Sequence, residues 1–290
     1  MSLETLDRIN PNTVPENNLR LPDAITVVHG PRRLLARFLL AGDREARQLG
    51  LHLRVRHDFD ELLYLNRREV ARGHWRPLLD MFNPEHATLN YENAFWVSGE
   101  NADGEIVATF GGRLYDWRDT NLAEQACAMF HGEDRGQGCH ITAEAAWRIS
   151  GTVIAAGIAW VRPDYRRRHL SRLVPRIGKA YACARWPVDW IFGYVTNEHA
   201  RWGMPASYGH RHVSHSVTYP GTPWSNLAIA YSSADDVYDD IASFLDTELS
   251  SAVSSQAGGG FAAAPPPTVR EHSVTKTSSD GVFQGSTNLS

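Results

Sequence analysis

GIAWVRPDYRRRHLSR, residues Gly157–Arg172, decides how this chain is read. An apolar run reads as a strand and ends in a short turn built on Val161-Arg162-Pro163-Asp164-Tyr165. A dense basic run then opens a helix. The free N–H groups at a helix N-terminus bind phosphate, and the helix dipole favours the same charge. Arg166, Arg167 and Arg168 stand side by side there, with Arg172 a turn later. Arginines at that end oppose the dipole, so local helix stability does not explain them. An anionic ligand does. A solvated basic helix start accounts for the same residues without a ligand, and both readings stand at this point.

The same stretch resembles the acyl-CoA-binding signature of the GNAT superfamily, the acyl-CoA-dependent N-acyltransferases. That signature is an apolar strand, a Val-x-Pro-x-Tyr-Arg step, then Arg/Gln-x-x-Gly-x-Gly/Ala opening a helix. Here the strand is Thr152–Val161 and the step is Val161, Pro163, Tyr165 and Arg166. The loop is Arg166-Arg167-Arg168-His169-Leu170-Ser171. The resemblance implies that loop N–H groups hold the pyrophosphate of coenzyme A. His169 stands where the family has Gly, and Ser171 stands at the second small position. A histidine there crowds the backbone approach to phosphate unless its ring turns outward.

A second match lies downstream. Val188–Thr196 is strand-like, and Asn197-Glu198-His199-Ala200 opens a helix before Ser207-Tyr208-Gly209-His210. The family pattern is strand, Asn-x-x-Ala, helix, Tyr, then Gly-Phe. Asn197, Ala200 and Gly209 fit, while His210 replaces the Phe. The tyrosine that protonates the leaving thiolate in many members falls near Met204 or Pro205, and neither can do that job. Tyr208 is the nearest phenol, displaced by about one helical turn. The resemblance covers roughly Leu51 to Tyr231. It implies an α/β (α+β) fold of the GNAT type, a central twisted mixed sheet flanked by helices. It also implies acetyl-CoA or another acyl-CoA as co-substrate, with no metal. The cofactor-binding residues it implies are Trp160, Val161, Arg166, Arg167, Arg168, His169, Leu170, Ser171, Arg172 and Asn197.

Composition bounds the alternatives. A chain of 290 residues can bury a large core, and 42% apolar with 21% charged residues is ordinary for a globular protein. The net charge of -4 gives no bulk attraction to nucleic acid or to an anionic membrane. No run approaches the roughly 20 apolar residues of a membrane span. The start, MSLETLDRINPN, lacks the basic and apolar regions of a signal peptide. Three widely spaced cysteines, Cys127, Cys139 and Cys183, suggest reduced thiols in a cytoplasmic protein.

Along the chain, residues 1–24 read as an arm with little regular structure, and Pro31–Leu49 as an amphipathic helix. Leu51–Arg56 alternates as a strand should, and Asp58-Phe59-Asp60-Glu61 starts a helix through Arg72. Ala94–Ser98 and Glu105–Tyr115 form a hairpin across Asn101-Ala102-Asp103-Gly104. Leu122–Phe130 reads as a short helix and Gly132–Gly138 as a loop. Ile141–Ile149 is expected to be a strand paired with Thr152–Val161. Val213–Tyr219 and Leu227–Tyr231 close the sheet, and Asp235–Leu245 is a short helix. Domains are expected at 1–50, an arm with a helical extension, and at 51–249, the acyltransferase-like domain. Residues 250–290, rich in Ser, Gly, Ala and Pro, read as a disordered tail.

Acyl transfer from a thioester to an amine needs a neutral amine, a donor for the thioester oxygen and a proton for the thiolate. Backbone N–H groups near Val161 are candidates for the donor. Glu144, in the small apolar run Ala143–Ala146, is the candidate base, and an edge-strand Glu facing water is its alternative. Tyr208 is the candidate acid, or else a core or turn tyrosine. His210, His212 and His215 lack a carboxylate or Cys at ligand spacing and read as structural or solvated histidines. Gly111-Gly112 reads as a strand irregularity. The expected function is N-acyl transfer to a small-molecule or protein amine, without nucleic acid or membrane, and with a homodimer left open. The alternative is a catalytically silent CoA-binding or interaction module.

Overall fold

The computed structural model describes residues 18–129, 140–218 and 226–257. The chain divides into two units, residues 1–250 and 251–290. Strand β1 (Asn18–Arg20) and the one-turn helix α1 (Leu21–Ala24) lead into α2 (Arg32–Gln48). Regular structure from Asn18 to Ala24 corrects the expectation of an unstructured arm there, because β1 gains a pairing partner that local sequence does not reveal. Helix α2 buries Leu35, Phe38, Leu39, Gly42 and Ala46, the three-and-four spacing of a single face. Strand β2 (His52–Arg56) turns Leu53 and Val55 inward. Helix α3 (Phe59–Ala71) starts where the Asp58 side chain accepts the Glu61 N–H at 2.9 Å.

Strands β3 (Ala94–Glu100) and β4 (Ile106–Trp117) form the expected hairpin, its turn closed by Asn101. Next come α4 (Leu122–Gln125), β5 (His140–Ile141), α5 (Glu144–Arg148) and β6 (Gly151–Val161). Helix α6 (Leu170–Arg185), β7 (Trp190–Thr196), α7 (Asn197–Arg201) and α8 (Met204–Ser207) carry the two matched motifs. Strands β8 (His212–Thr218) and β9 (Leu227–Ser233) and helix α9 (Ala234–Ala257) complete the described residues. Helix α9 outruns the short helix expected at Asp235–Leu245 and runs to Ala257. The loop 132–138, Tyr219 and residues 258–290 lie outside the described residues.

The strands form one mixed sheet in the order β1-β2-β3-β4-β6-β7-β9-β8-β5. This is the mixed α/β architecture expected, with helices on both faces. One face packs α2, α6 and α9 over Phe95, Val97, Phe110 and Ile154. The other packs α3 and α5 over Trp96, Val153, Ala155 and Phe192. Among the described residues no helix is long and apolar enough to cross a membrane.

The expected strand Ile141–Ile149 is corrected. Ile141 pairs with Val217 on β8, and Glu144–Arg148 is helical. Alanine is the strongest helix former, and the run Ala143–Ala146 follows that propensity. The expectation of reduced thiols is also corrected at one position. Cys127 is disulfide-bonded, and Cys183 is free and buried. Spacing along a chain does not bound distance in space, so wide separation did not exclude a bridge. Cys139 lies outside the described residues.

The feature that shapes the site is a bulge in β6. Strand β4 pairs antiparallel with β6, but Thr109 faces Trp160 while Gly111 faces Gly157. Ile158 and Ala159 therefore oppose the single residue Phe110, the two-against-one count of a β-bulge. Ile158 has φ +50°, left-handed backbone that a β-branched residue rarely adopts. The Thr109 hydroxyl donates to the Ile158 carbonyl at 2.6 Å, and Thr109 is 2% exposed. Across the bulge a Cβ at Gly111 would lie 2.8 Å from the Phe95 carbonyl oxygen, so the irregularity read at Gly111-Gly112 is a close backbone approach. Thr109→Val removes that hydroxyl at nearly constant volume and takes its hydrogen bond from the Ile158 carbonyl. It is expected to lower unfolding free energy by about 1–3 kcal/mol, measured by denaturant titration.

Candidate functional site

Strands β6 and β7 run parallel but pair only from Val153–Ala155 to Trp190–Phe192. Beyond that, β6 stays with β4 as far as Val161, and β7 stays with β9 as far as Thr196. The two strands part like a fork. A cavity of about 630 Å³ lies in the opening. One wall is β6 from Ala156 to Val161, and the other is β7 from Gly193 to Thr196.

The mouth of the cavity meets the start of α6. Arg166 and Ser171 line it. Arg166 Nε donates to the Val161 carbonyl at 3.3 Å, which ties the loop to the end of β6. The backbone N–H groups of Arg167, Arg168, His169, Leu170 and Ser171 find no acceptor among the described residues. Successive free N–H groups at a helix start, with arginines beside them, make a cradle for an anion. Arg167, Arg168 and Arg172 are exposed, and the Arg168 guanidinium sits 4.4 Å from the centre of the Tyr165 ring.

The family glycine position has a physical meaning here. His169 caps α6 with φ +60° and ψ 9°, the left-handed region that glycine enters freely. Its ring is exposed, so it turns outward.

The second wall adds polar groups. His199 lies at the start of α7, whose Thr196 hydroxyl accepts the His199 N–H at 3.2 Å. Burial and then the Arg76 charge hold the His199 imidazole below its usual pKa. Tyr208, at the end of α8, lines the cavity, and burial pushes its phenol up to about 12. Met204 also lines it. Trp160 from β6 stacks on Trp75 with ring centres 4.9 Å apart and donates to the His74 carbonyl at 3.2 Å. His74, Trp75 and Arg76 thereby close the far side.

Of the residues singled out from sequence, Trp160, Val161, Arg166, Ser171 and Tyr208 meet in this cavity. Glu144 does not. It is the exposed first residue of α5 and is not among the lining residues. The Asn197 side chain bonds the His215 ring at 2.9 Å and is not on the lining either. Leu170 is in the core, so only its backbone can serve a ligand. The three histidines expected to be structural or solvated part company. His212 pairs with Asp236 at 3.3 Å, His215 bonds Asn197, and His210 lines the cavity. Sequence reasoning passed over His74, Trp75, Arg76 and His199 as site residues. The first three sit in a Pro-broken stretch with no periodicity, and His199 stood inside the quoted Asn-x-x-Ala motif as an unassigned position.

Behind the cavity lies a buried charge cluster. Arg176 grips Asp240 of α9 through Nε at 2.9 Å and Nη2 at 3.0 Å, and donates to the Ser207 carbonyl at 2.7 Å. Lys179, 1% exposed, donates to the Gly209 carbonyl. Burial pulls its ammonium down to about 7, against the attraction of Asp240.

No protein-family model matches this chain, and no curated protein matches it in sequence. Solved structures similar to it include acetyltransferases. NAA60 of Arabidopsis thaliana in complex with acetyl-CoA matches 63% of this chain and 99% of its own at 11% identity, with a TM-score of 0.40. The spermidine/spermine N-acetyltransferase SpeG of Vibrio cholerae matches 66% of this chain and 97% of its own at 10% identity, with a TM-score of 0.39. A GNAT superfamily phosphinothricin acetyltransferase of Sinorhizobium meliloti, in complex with acetyl-CoA, matches 63% of this chain and 88% of its own. Its identity is 11% and its TM-score 0.37.

Two outcomes follow from these geometries. His169→Gly relieves the left-handed backbone and is expected to raise unfolding free energy by about 0.5–1 kcal/mol, after the flexibility glycine adds to the unfolded chain. Thermal melting checks it. For Lys179 the unfolded side chain keeps its proton to about pH 10.4, while the folded one releases it near 7. The unfolded state therefore binds more protons, and stability rises with pH above 7. The raised Cys183 thiol opposes the rise only from about pH 8.5, the unperturbed cysteine value. Between pH 7 and 8.5 the gain is expected to be about 1–2 kcal/mol, and Lys179→Met should flatten it.

Proposed function

We propose that this chain is an N-acyltransferase that binds acyl-CoA in the β6/β7 fork and passes the acyl group directly to an amine. The observation that carries the reading is a single continuous one. A forked parallel pair opens a cavity whose mouth is the unpaired N–H cradle at the start of α6. The pyrophosphate of coenzyme A suits the cradle by charge and by donor number, with Arg166 beside it. The thioester arm then reaches inward along β6, where the bulge turns backbone groups out of the ladder.

In this reading the amine attacks the thioester carbon, the carbon–sulfur bond breaks, and the amine loses one proton while the sulfur gains one. Tyr208 keeps its proton through the working pH range and meets the departing sulfur as a donor. No Asp or Glu is among the lining residues described. His199 lines the second wall and is held below its usual pKa, so it takes the place first considered for Glu144 as acceptor of the amine proton. One observation favours a second reading, a CoA-binding module without turnover. Met204, not a phenol, lines the cavity at the position where the resemblance expects the acid.

Calorimetry with CoA and acetyl-CoA, followed by assays with a panel of amines, tests the reading. Binding is expected, and Arg166→Ala should weaken it by about 1–3 kcal/mol. Tyr208→Phe should lower kcat by about 10–1000-fold with CoA affinity near that of the wild type. The acid limb of kcat/KM should lie below the ordinary histidine value of about 6.5 and disappear in His199→Asn. CoA binding without turnover on any amine would favour the silent module.

A further inference from the structure

A buried nitrogen without a hydrogen-bond partner costs free energy, so its presence calls for a reason. Among the described residues one buried side-chain atom has none, Nδ1 of His210. The residue is 8% exposed and lines the cavity. Its backbone is fixed. The His210 N–H donates to the Pro205 carbonyl at 2.8 Å, and the Gly209 carbonyl before it accepts from Lys179. At Gly209, φ is +74° and a Cβ would run into Asp240, so the chain is held in one path as it enters β8.

The surroundings also fix which nitrogen carries the proton. Burial first, then the charges of Lys179 and Arg176, hold the ring well below the usual histidine pKa, so it is neutral. A neutral imidazole has one N–H and one lone pair. Nδ1 is sealed from the cavity with no partner, and a buried N–H without an acceptor is rarer and costlier than an unpaired lone pair, so the lone pair belongs on Nδ1. The proton then sits on Nε2, the nitrogen left to face the cavity.

We propose that His210 is a neutral hydrogen-bond donor that offers Nε2–H to a carbonyl oxygen of the acyl-CoA bound in the cavity. The proposal rests on the acyl-CoA reading above. A phenylalanine at this position fills space and donates nothing, whereas a neutral imidazole donates without bringing a charge to be desolvated. The carbonyl belongs either to an amide of the pantetheine arm or to the thioester, and the two sources differ in one respect: free CoA has only the first.

The decisive variant is His210→Phe, which keeps a ring and removes the donor. Its melting temperature should equal or exceed that of the wild type, because an unsatisfied buried nitrogen is gone. Its affinity should nevertheless fall by about 3–10-fold, the worth of one neutral hydrogen bond. A fall for both CoA and acetyl-CoA assigns the pantetheine amide, and a fall for acetyl-CoA alone assigns the thioester. His210→Gln, whose amide nitrogen can stand near Nε2, should recover part of the loss. Independently of any variant, the imidazole 15N spectrum of the wild type should show an Nε2–H tautomer whose Nε2 signal moves on adding ligand. Wild-type affinity in His210→Phe, or an unmoved Nε2 signal while CoA binds, overturns the proposal and leaves the acyl-CoA reading standing. A wild type that binds neither CoA nor acetyl-CoA overturns both.

Discussion

The left-handed backbone at Ile158, pinned by the Thr109 hydroxyl, is the constraint on which the site depends. An unbroken β6 would continue straight beside β7 and fill the space between them. Two residues opposite one on β4 turn the strand instead, so that its last residues follow β4 while β7 follows β9. Strain of this kind persists only where its surroundings hold it. Here they do. Gly111 leaves room for the Ile158 side chain, and a Cβ at Gly157 would press on the Phe82 ring. The cavity is a consequence of the backbone before any side chain is considered.

The second constraint is the anchoring of α6. In the proposed reading its N-terminus is the anion cradle, so its position relative to the fork would set the distance from phosphate to thioester. Arg176 binds α6 to α9 and to the end of α8, and Lys179 binds it to the turn at Gly209. On the opposite side Gly42 of α2 lets Ile177 approach closely. The same contacts that hold the helix also place Tyr208 and His210 on the cavity wall. Packing and site are therefore one network, and a buried lysine is tolerated within it because the Gly209 carbonyl accepts from its ammonium and the charge of Asp240 attracts it.

Much of this was legible in sequence because the signals are local. Period-two alternation marked β2, the Asn101–Gly104 turn marked the β3/β4 hairpin, and the Asp58 cap marked α3. The Val161–Ser171 step placed the end of β6 and the start of α6, and the glycine position occupied by His169 has the backbone that glycine serves. The rest depended on distance in space. Ile141–Ile149 is short and apolar enough to suit strand or helix, and its outcome turned on the pairing of Ile141 with distant β8. Glu144 was a site candidate only if that run lined the cleft, and it is the exposed first residue of α5 instead. His74, Trp75 and Arg76 reach the cavity through a loop that Trp160 holds, and nothing in their own neighbourhood signals it. His210 is isolated among histidines with ordinary partners, and only burial sets it apart.

Backbone amide shifts in a 15N spectrum during titration with coenzyme A test the central claim most directly. The account predicts the largest changes at the N–H groups of Arg167 through Ser171, with a second set along β6 from Ile158 to Val161. Saturable binding that leaves those amides unmoved and shifts residues on another face of the sheet would contradict it.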